Sequence, residues 1–260
     1  MKDKKVMIVL MISIFVFFIV MFLLFGVKNI KKGNIAATIV VGDTSIFTYQ
    51  NRQWNNIRNS SSVQSLNWKP FHIFVDNEEL GEYYLWHNDG KWYVFDQDNN
   101  AVLIDGNLLA YNSNFEIPVS SFVKENVTDR KYVDSVLMEN NISISSEFTT
   151  IYQVPFDLDQ DGVEEMFYVV SNAFIDEYEP ESIFSFVFMV KEEEVVMIYK
   201  EVNSNRSFNG CKPFITSFLD VDQDDTYELL LGCGRYSIGE QIDMLYDYEK
   251  PEFKILISNQ

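Results

Sequence analysis

Residues Tyr152–Ala173 read YQVPFDLDQDGVEEMFYVVSNA, and Ile215–Tyr236 read ITSFLDVDQDDTYELLLGCGRY. The two stretches align without a gap. Asp157, Asp159, Asp161 and Glu165 fall on Asp220, Asp222, Asp224 and Glu228, and Gln160 falls on Gln223. In both, a run of β-branched and aromatic residues leads into the acidic loop and another leads out, so each loop is expected to join two strands. A second matching hairpin follows each: FSFVFMVKEEEVVMIYKEV from Phe184 and QIDMLYDYEKPEFKILIS from Gln241. The expected unit is strand, acidic loop, strand, hairpin, once over 148–205 and again over 211–260.

The spacing has a chemical reading. A hard divalent cation takes about six to eight oxygens at roughly 2.3–2.6 Å. Carboxylates at loop positions 1, 3 and 5 can turn inward together, which nominates Asp157, Asp159 and Asp161, and Asp220, Asp222 and Asp224. Position 7 adds a backbone carbonyl, from Val163 or Thr226, and position 9 adds Glu165 or Glu228. Position 6 needs a positive φ, natural for Gly162 and tolerable for Asp225. Without a cation the clustered carboxylates repel one another. Ca²⁺ suits such a flexible, oxygen-rich loop better than Mg²⁺. Against this stands the fact that acidic turns between strands are common.

An EF-hand fits poorly. Its position-12 glutamate would fall on Tyr168 and Leu231, its flanks are helices, and Pro155 opposes an entering helix. The pattern resembles instead the D-x-D-x-D-G-x-x-D/E calcium loop of FG-GAP/VCBS-type repeats, over residues 148–260 only. That resemblance implies β-propeller-like antiparallel blades with structural Ca²⁺ in each loop. Two departures stand out: Asp225 replaces the family's glycine, and both loops end in Glu.

Outward from these loops, short strand-like runs fill 38–127: Thr38–Val41, Ser45–Tyr49, Phe71–Val75, Glu82–Trp86, Lys91–Phe95 and Ala101–Asp105. Turn signals separate them, and Asp89-Gly90 marks a hairpin. One helix is expected over Asp129–Asn140, with Thr128 as N-cap. The stretch FDQDNNAVLIDG carries Asp96, Asp98 and Asn100. Its ninth position is Ile104, which cannot ligate, so a plain turn is the better reading. The expected fold is mainly β.

The N-terminus differs in kind. After a tail of residues 1–5, positions 6–27 read VMIVLMISIFVFFIVMFLLFGV without a charge. A helix of that length spans roughly 33 Å, enough for one membrane crossing. No small-residue cleavage site closes the apolar run, so a retained anchor is expected rather than a signal peptide. A polar linker over 28–37 follows. Lysines flank both ends nearly equally, so the positive-inside rule is close to a tie. The calcium loops favour an extracytoplasmic placement for the bulk of the chain.

The net charge is −19, although residues 1–32 hold six lysines and only one acid. Residues 33–260 are therefore more acidic than the total, which disfavours nucleic acid as a partner and favours cations. Cys211 and Cys233 can pair in an oxidising compartment. A hairpin setting Leu219 opposite Leu229 places Cys233 opposite Ile215, however, with Cys211 roughly 13 Å further along the strand. Trp54, Trp68, Trp86 and Trp92 suit core packing, with sugar stacking as the other use. No G-x-S-x-G, P-loop or G-x-G-x-x-G motif is present. The expected function is membrane-anchored display of a Ca²⁺-stabilised module for adhesion, binding of a protein or carbohydrate ligand, or envelope assembly. A carbohydrate-active hydrolase on the same scaffold is the alternative.

Overall fold

Short runs of apolar residues, buried on both faces in the central strands, set the first sheet. The computed structural model describes residues 37–258 apart from 44, 52, 58–59, 76–77, 107, 113–124, 144–149, 174–181, 204–209, 236–239 and 250. The first sheet is built from β1 (Ala37–Val41), β2 (Ser45–Gln50), β3 (Gln53–Asn56), β4 (Pro70–Val75), β5 (Glu78–Asn88), β6 (Lys91–Phe95), β7 (Ala101–Val102) and β8 (Leu108–Asn112). Their spatial order is β3-β2-β1-β8-β4-β5-β6-β7, antiparallel throughout. The short helix α1 (Ser60–Gln64) lies between β3 and β4 in sequence. Asp89 and Gly90 both take positive φ in the β5–β6 hairpin, as a two-residue loop requires. The strand expected over Ala101–Asp105 ends at Val102.

The second sheet holds β9 (Glu125–Asn126), β10 (Thr150–Phe156), β11 (Glu165–Ser171), β12 (Ile183–Lys191) and β13 (Glu194–Asn203), in the order β13-β12-β11-β10-β9. Because β9 pairs with β10, the second sheet draws its edge strand from inside the region read as N-terminal. Helix α2 (Lys131–Glu139) occupies the expected place. Its first turn is tied by Asp129, whose Oδ1 accepts the Lys131 N–H at 3.0 Å, and not by Thr128. The third sheet is the meander β14 (Lys212–Leu219), β15 (Glu228–Arg235), β16 (Glu240–Glu249) and β17 (Glu252–Ser258).

The three sheets stack with the third in the middle. One face of the third sheet presents Ile215, Phe218, Leu229, Leu231 and Met244 to Val154, Phe156, Phe167, Val187 and Met189 of the second. Its other face presents Leu219, Leu230 and Leu245 to Ile39, Val41, Phe47 and Leu109 of the first. This is why β15 reads as a continuous apolar run: both of its faces are covered. Phe214 lies across Gly232 from the paired strand, where an added Cβ would meet its ring at 2.3 Å. A polar joint also links the first and third sheets. The buried Asp243 carboxylate accepts from Ser45 Oγ and, at 2.8 Å, from Gln241 Nε2. Burial pushes its pKa up, against the two hydrogen bonds.

The sheets do not form the expected propeller. Among the described residues the sheets form a stack and close no ring. The outer faces of the stack are apolar and are covered by helix-bearing segments, where a propeller would place the next blade. Val133, Val136 and Leu137 cover Tyr168, Phe186 and Phe188 of the second sheet, while Val63 and Leu66 cover Phe71, Ile73 and Leu85 of the first. Residues 6–27, read as the membrane helix, lie outside the described residues. Among the described residues no helix is long and apolar enough to cross a membrane.

The hairpin register differs from the expected one at the cysteines. Leu219 pairs with Glu228, and a bulge at Thr216 shifts the ladder again, so Ile215 faces Leu231 and Pro213 faces Cys233. Cys211 is thereby brought two residues closer, to a Cα–Cα distance of 5.4 Å, and the two cysteines are joined by a disulfide.

Candidate metal centre

Each acidic loop closes a hairpin between a residue pair of the ladder. Residues 157–164 lie between Phe156 and its partner Glu165, and residues 220–227 between Leu219 and its partner Glu228. The first aspartate organises the turn in both. Asp157 Oδ1 accepts the Asp161 N–H at 3.1 Å and Oδ2 the Gly162 N–H at 2.9 Å. Asp220 Oδ1 accepts the Asp224 N–H at 3.1 Å. Asp161 Oδ1 then takes the Val163 N–H at 2.8 Å, and Asp224 Oδ1 the Thr226 N–H at 3.0 Å. Short acidic side chains thus satisfy backbone donors that the turn leaves without a ladder partner.

Position 6 has the expected backbone: φ is 87° at Gly162 and 70° at Asp225. Position 4 was missed. Gln160 and Gln223 also take positive φ, 52° and 56°, and the recurrence of Gln at this place in both loops was the available signal.

The ninth residue is buried in both. Glu165 is 1% exposed and Glu228 is 4% exposed. Glu165 Oε2 accepts the Leu158 N–H at 2.8 Å, and Glu228 Oε2 accepts the Val221 N–H at 2.9 Å. A carboxylate from the start of the outgoing strand therefore closes each loop from beneath.

Three oxygens converge in each loop. Asp157, Asp159 and Glu165 offer ligand atoms within 4.8 Å of one another, and so do Asp220, Asp222 and Asp224. Asp161 and Glu228 fall outside these two groupings, and Val163 and Thr226 are tied through their N–H groups. Either oxygen set could hold a metal ion, since carboxylate oxygens are the donors a hard cation takes.

The electrostatics of the two loops differ. In the first, the Lys191 ammonium donates to Glu165 Oε1 and to Asp159 Oδ2 at 2.9 Å, and lies 3.5 Å from Asp161 Oδ2. Burial works against that charge, but the bonds to Glu165 and Asp159 prevail and hold the ammonium above the usual lysine range. Lys191 went unnoticed in the sequence because it ends one strand while its partners belong to another turn. The ladder brings them together: Val190 pairs with Met166, which sets Lys191 beside Glu165. In the second loop Tyr246 pairs with Leu229, so the same place beside Glu228 is taken by Asp247.

Carboxyl pKa values rise there. Burial pushes Glu228 well up, aided by the charges of Asp222 and Asp220 and opposed by the Val221 N–H. Asp220 and Asp247 are raised too, first by burial and further by the neighbouring charge of Asp224.

The two loops touch. The Tyr227 N–H donates to the Leu158 carbonyl at 3.0 Å, and the Tyr227 ring meets Phe156 edge-on at 5.0 Å. Burial raises the Tyr227 hydroxyl's pKa, and so do the charges of Asp220 on one side and Asp157 on the other.

Elsewhere the turn at Asp96 is self-contained: its carboxylate accepts the N–H groups of Asp98 and Asn100 and the Asn100 side chain. The tryptophans divide. Trp92 is buried, whereas Trp68 is half exposed and meets Trp86 at 6.5 Å and Phe95 at 5.0 Å. No protein-family model, curated protein or solved structure matches the chain.

Proposed function

We propose that this chain is a single-pass membrane protein that displays a Ca²⁺-stabilised β module outside the cytoplasm. The module serves adhesion, binding of a protein or carbohydrate ligand, or envelope assembly. The observation that carries the calcium reading is the convergence of Asp220, Asp222 and Asp224 within 4.8 Å above the buried Glu228. Charge explains why a cation belongs there. Carboxylates crowded in a partly buried loop raise one another's pKa, and a divalent ion removes that repulsion. The occurrence of the loop between paired antiparallel strands in two sheets supports the likeness to FG-GAP/VCBS loops. The membrane placement rests on residues 6–27 and is supported by the Cys211–Cys233 bridge, since disulfides persist in oxidising compartments.

Calcium titration of the full chain in detergent tests the reading. Affinities of roughly 10⁻⁴–10⁻³ M are usual for extracellular modules. At saturating calcium, about 100 times the dissociation constant, the folded state gains about 2.7 kcal/mol, or roughly 5–11 °C in Tm. Asp220→Ala with Asp222→Ala is expected to remove that gain, while Asp96→Ala leaves it intact. A double variant that keeps the full rise would exclude this loop as the site. For placement, a protease added to intact cells is expected to digest the module. Digestion only after lysis would put it in the cytoplasm.

A further inference from the structure

The first loop already holds a cation. Lys191 comes from the end of β12, and its side chain is only 18% exposed. Its ammonium contacts three carboxylates of the loop: Glu165, Asp159 at 2.9 Å and Asp161 at 3.5 Å. Two of these, Asp159 and Glu165, belong to the loop's converging oxygen set. A calcium ion bound here would need oxygens at about 2.3–2.6 Å, and so would use the same atoms. The ammonium and the divalent ion would then be like charges in near contact, with a repulsion that grows as the inverse of their separation.

We propose that Lys191 is the resident cation of loop 157–165, so that this loop is held without a divalent ion. Divalent binding is thereby confined to loop 220–228, where Asp247 stands at the register position of Lys191. The second half rests on the calcium reading above; the first half does not. The tether makes the substitution work. A strand-borne ammonium is present at fixed position whenever the hairpin forms, so the loop's closure does not depend on the calcium concentration. The first loop becomes a constant structural corner and the second a calcium-responsive one. The two corners share the Tyr227–Leu158 backbone bond and the Tyr227–Phe156 ring contact. Ion binding at the second loop therefore works against a rigid neighbour.

Isothermal calorimetry with CaCl₂ on the full chain in detergent distinguishes the alternatives by stoichiometry. The wild type is expected to bind one ion per chain, Lys191→Met two, and Lys191→Arg one. Asp220→Ala with Asp222→Ala, in the wild-type background, is expected to bind none. Two ions on the wild type, or one ion remaining on that double variant, overturns the proposal, and both measurements are independent of how Lys191→Met folds. If the wild type binds none and Lys191→Met binds one, the role of Lys191 stands and the calcium reading of the second loop falls. If Lys191→Met binds no more ions than the wild type, Lys191 is not what keeps the first loop metal-free, and the proposal falls. In EGTA, Lys191→Met is expected to lose amide-exchange protection at Leu158 by at least tenfold, with calcium restoring it.

Discussion

Phe218→Ala is expected to be the most damaging single truncation in the third sheet, with a loss of about 3–5 kcal/mol. Phe218 is fully buried. Its ring stacks on Phe156 at 3.9 Å with planes 6° apart, and meets Phe167 edge-on at 4.9 Å. Phe156 and Phe167 belong to the second sheet, so these rings are the apolar joint between two meanders. Truncation removes the transfer free energy of the ring and leaves a void between two sheets, each already fixed by its own ladder, so little collapse can fill it. For a domain of this size the loss lowers Tm by roughly 6–20 °C. Leu103→Ala is the control: its side chain is 92% exposed, and a change within about 0.5 kcal/mol is expected. Urea unfolding of both variants reads the difference directly. A loss under about 1 kcal/mol for Phe218→Ala would mean that the sheets are not joined here.

Removing the disulfide ranks second. Cys211 and Cys233 are 22 residues apart in sequence and both lie in the core between the second and third sheets. A crosslink closing a loop of that length stabilises by about 3 kcal/mol, through the narrower unfolded ensemble. Cys211→Ala with Cys233→Ala is expected to lower Tm by roughly 6–12 °C. Both cysteines are buried, so dithiothreitol is expected to reduce the folded wild type only at the rate at which it opens. Two free thiols in the intact, non-reduced protein by mass spectrometry would remove the basis of this expectation.

The two acidic hairpins were legible from residue types alone. Strand-forming runs on either side of Asp157–Glu165 and Asp220–Glu228 impose local pairing, and the φ signs at Gly162 and Asp225 follow from turn geometry. These are short-range consequences of backbone sterics and of carboxylates satisfying nearby N–H groups. The same holds for the Asp89-Gly90 hairpin and for α2.

What the residue string left open depended on contacts between distant segments. Strand alternation says that β15 is apolar on both faces, but not that it lies between two other sheets. The stack replaces a ring because the outer faces of the first and second sheets were claimed by Val63 and Leu66 and by Val133, Val136 and Leu137. Two register shifts, the Leu219–Glu228 pairing and the bulge at Thr216, decided whether Cys211 could reach Cys233. The ladder between β11 and β12 decided that a lysine 26 residues beyond Glu165 would point its charge at the first loop. Local patterning and turn chemistry act over a few residues and are written in the order of the chain. Register and sheet stacking are settled by packing across dozens of residues, where a shift of one place changes which side chains meet.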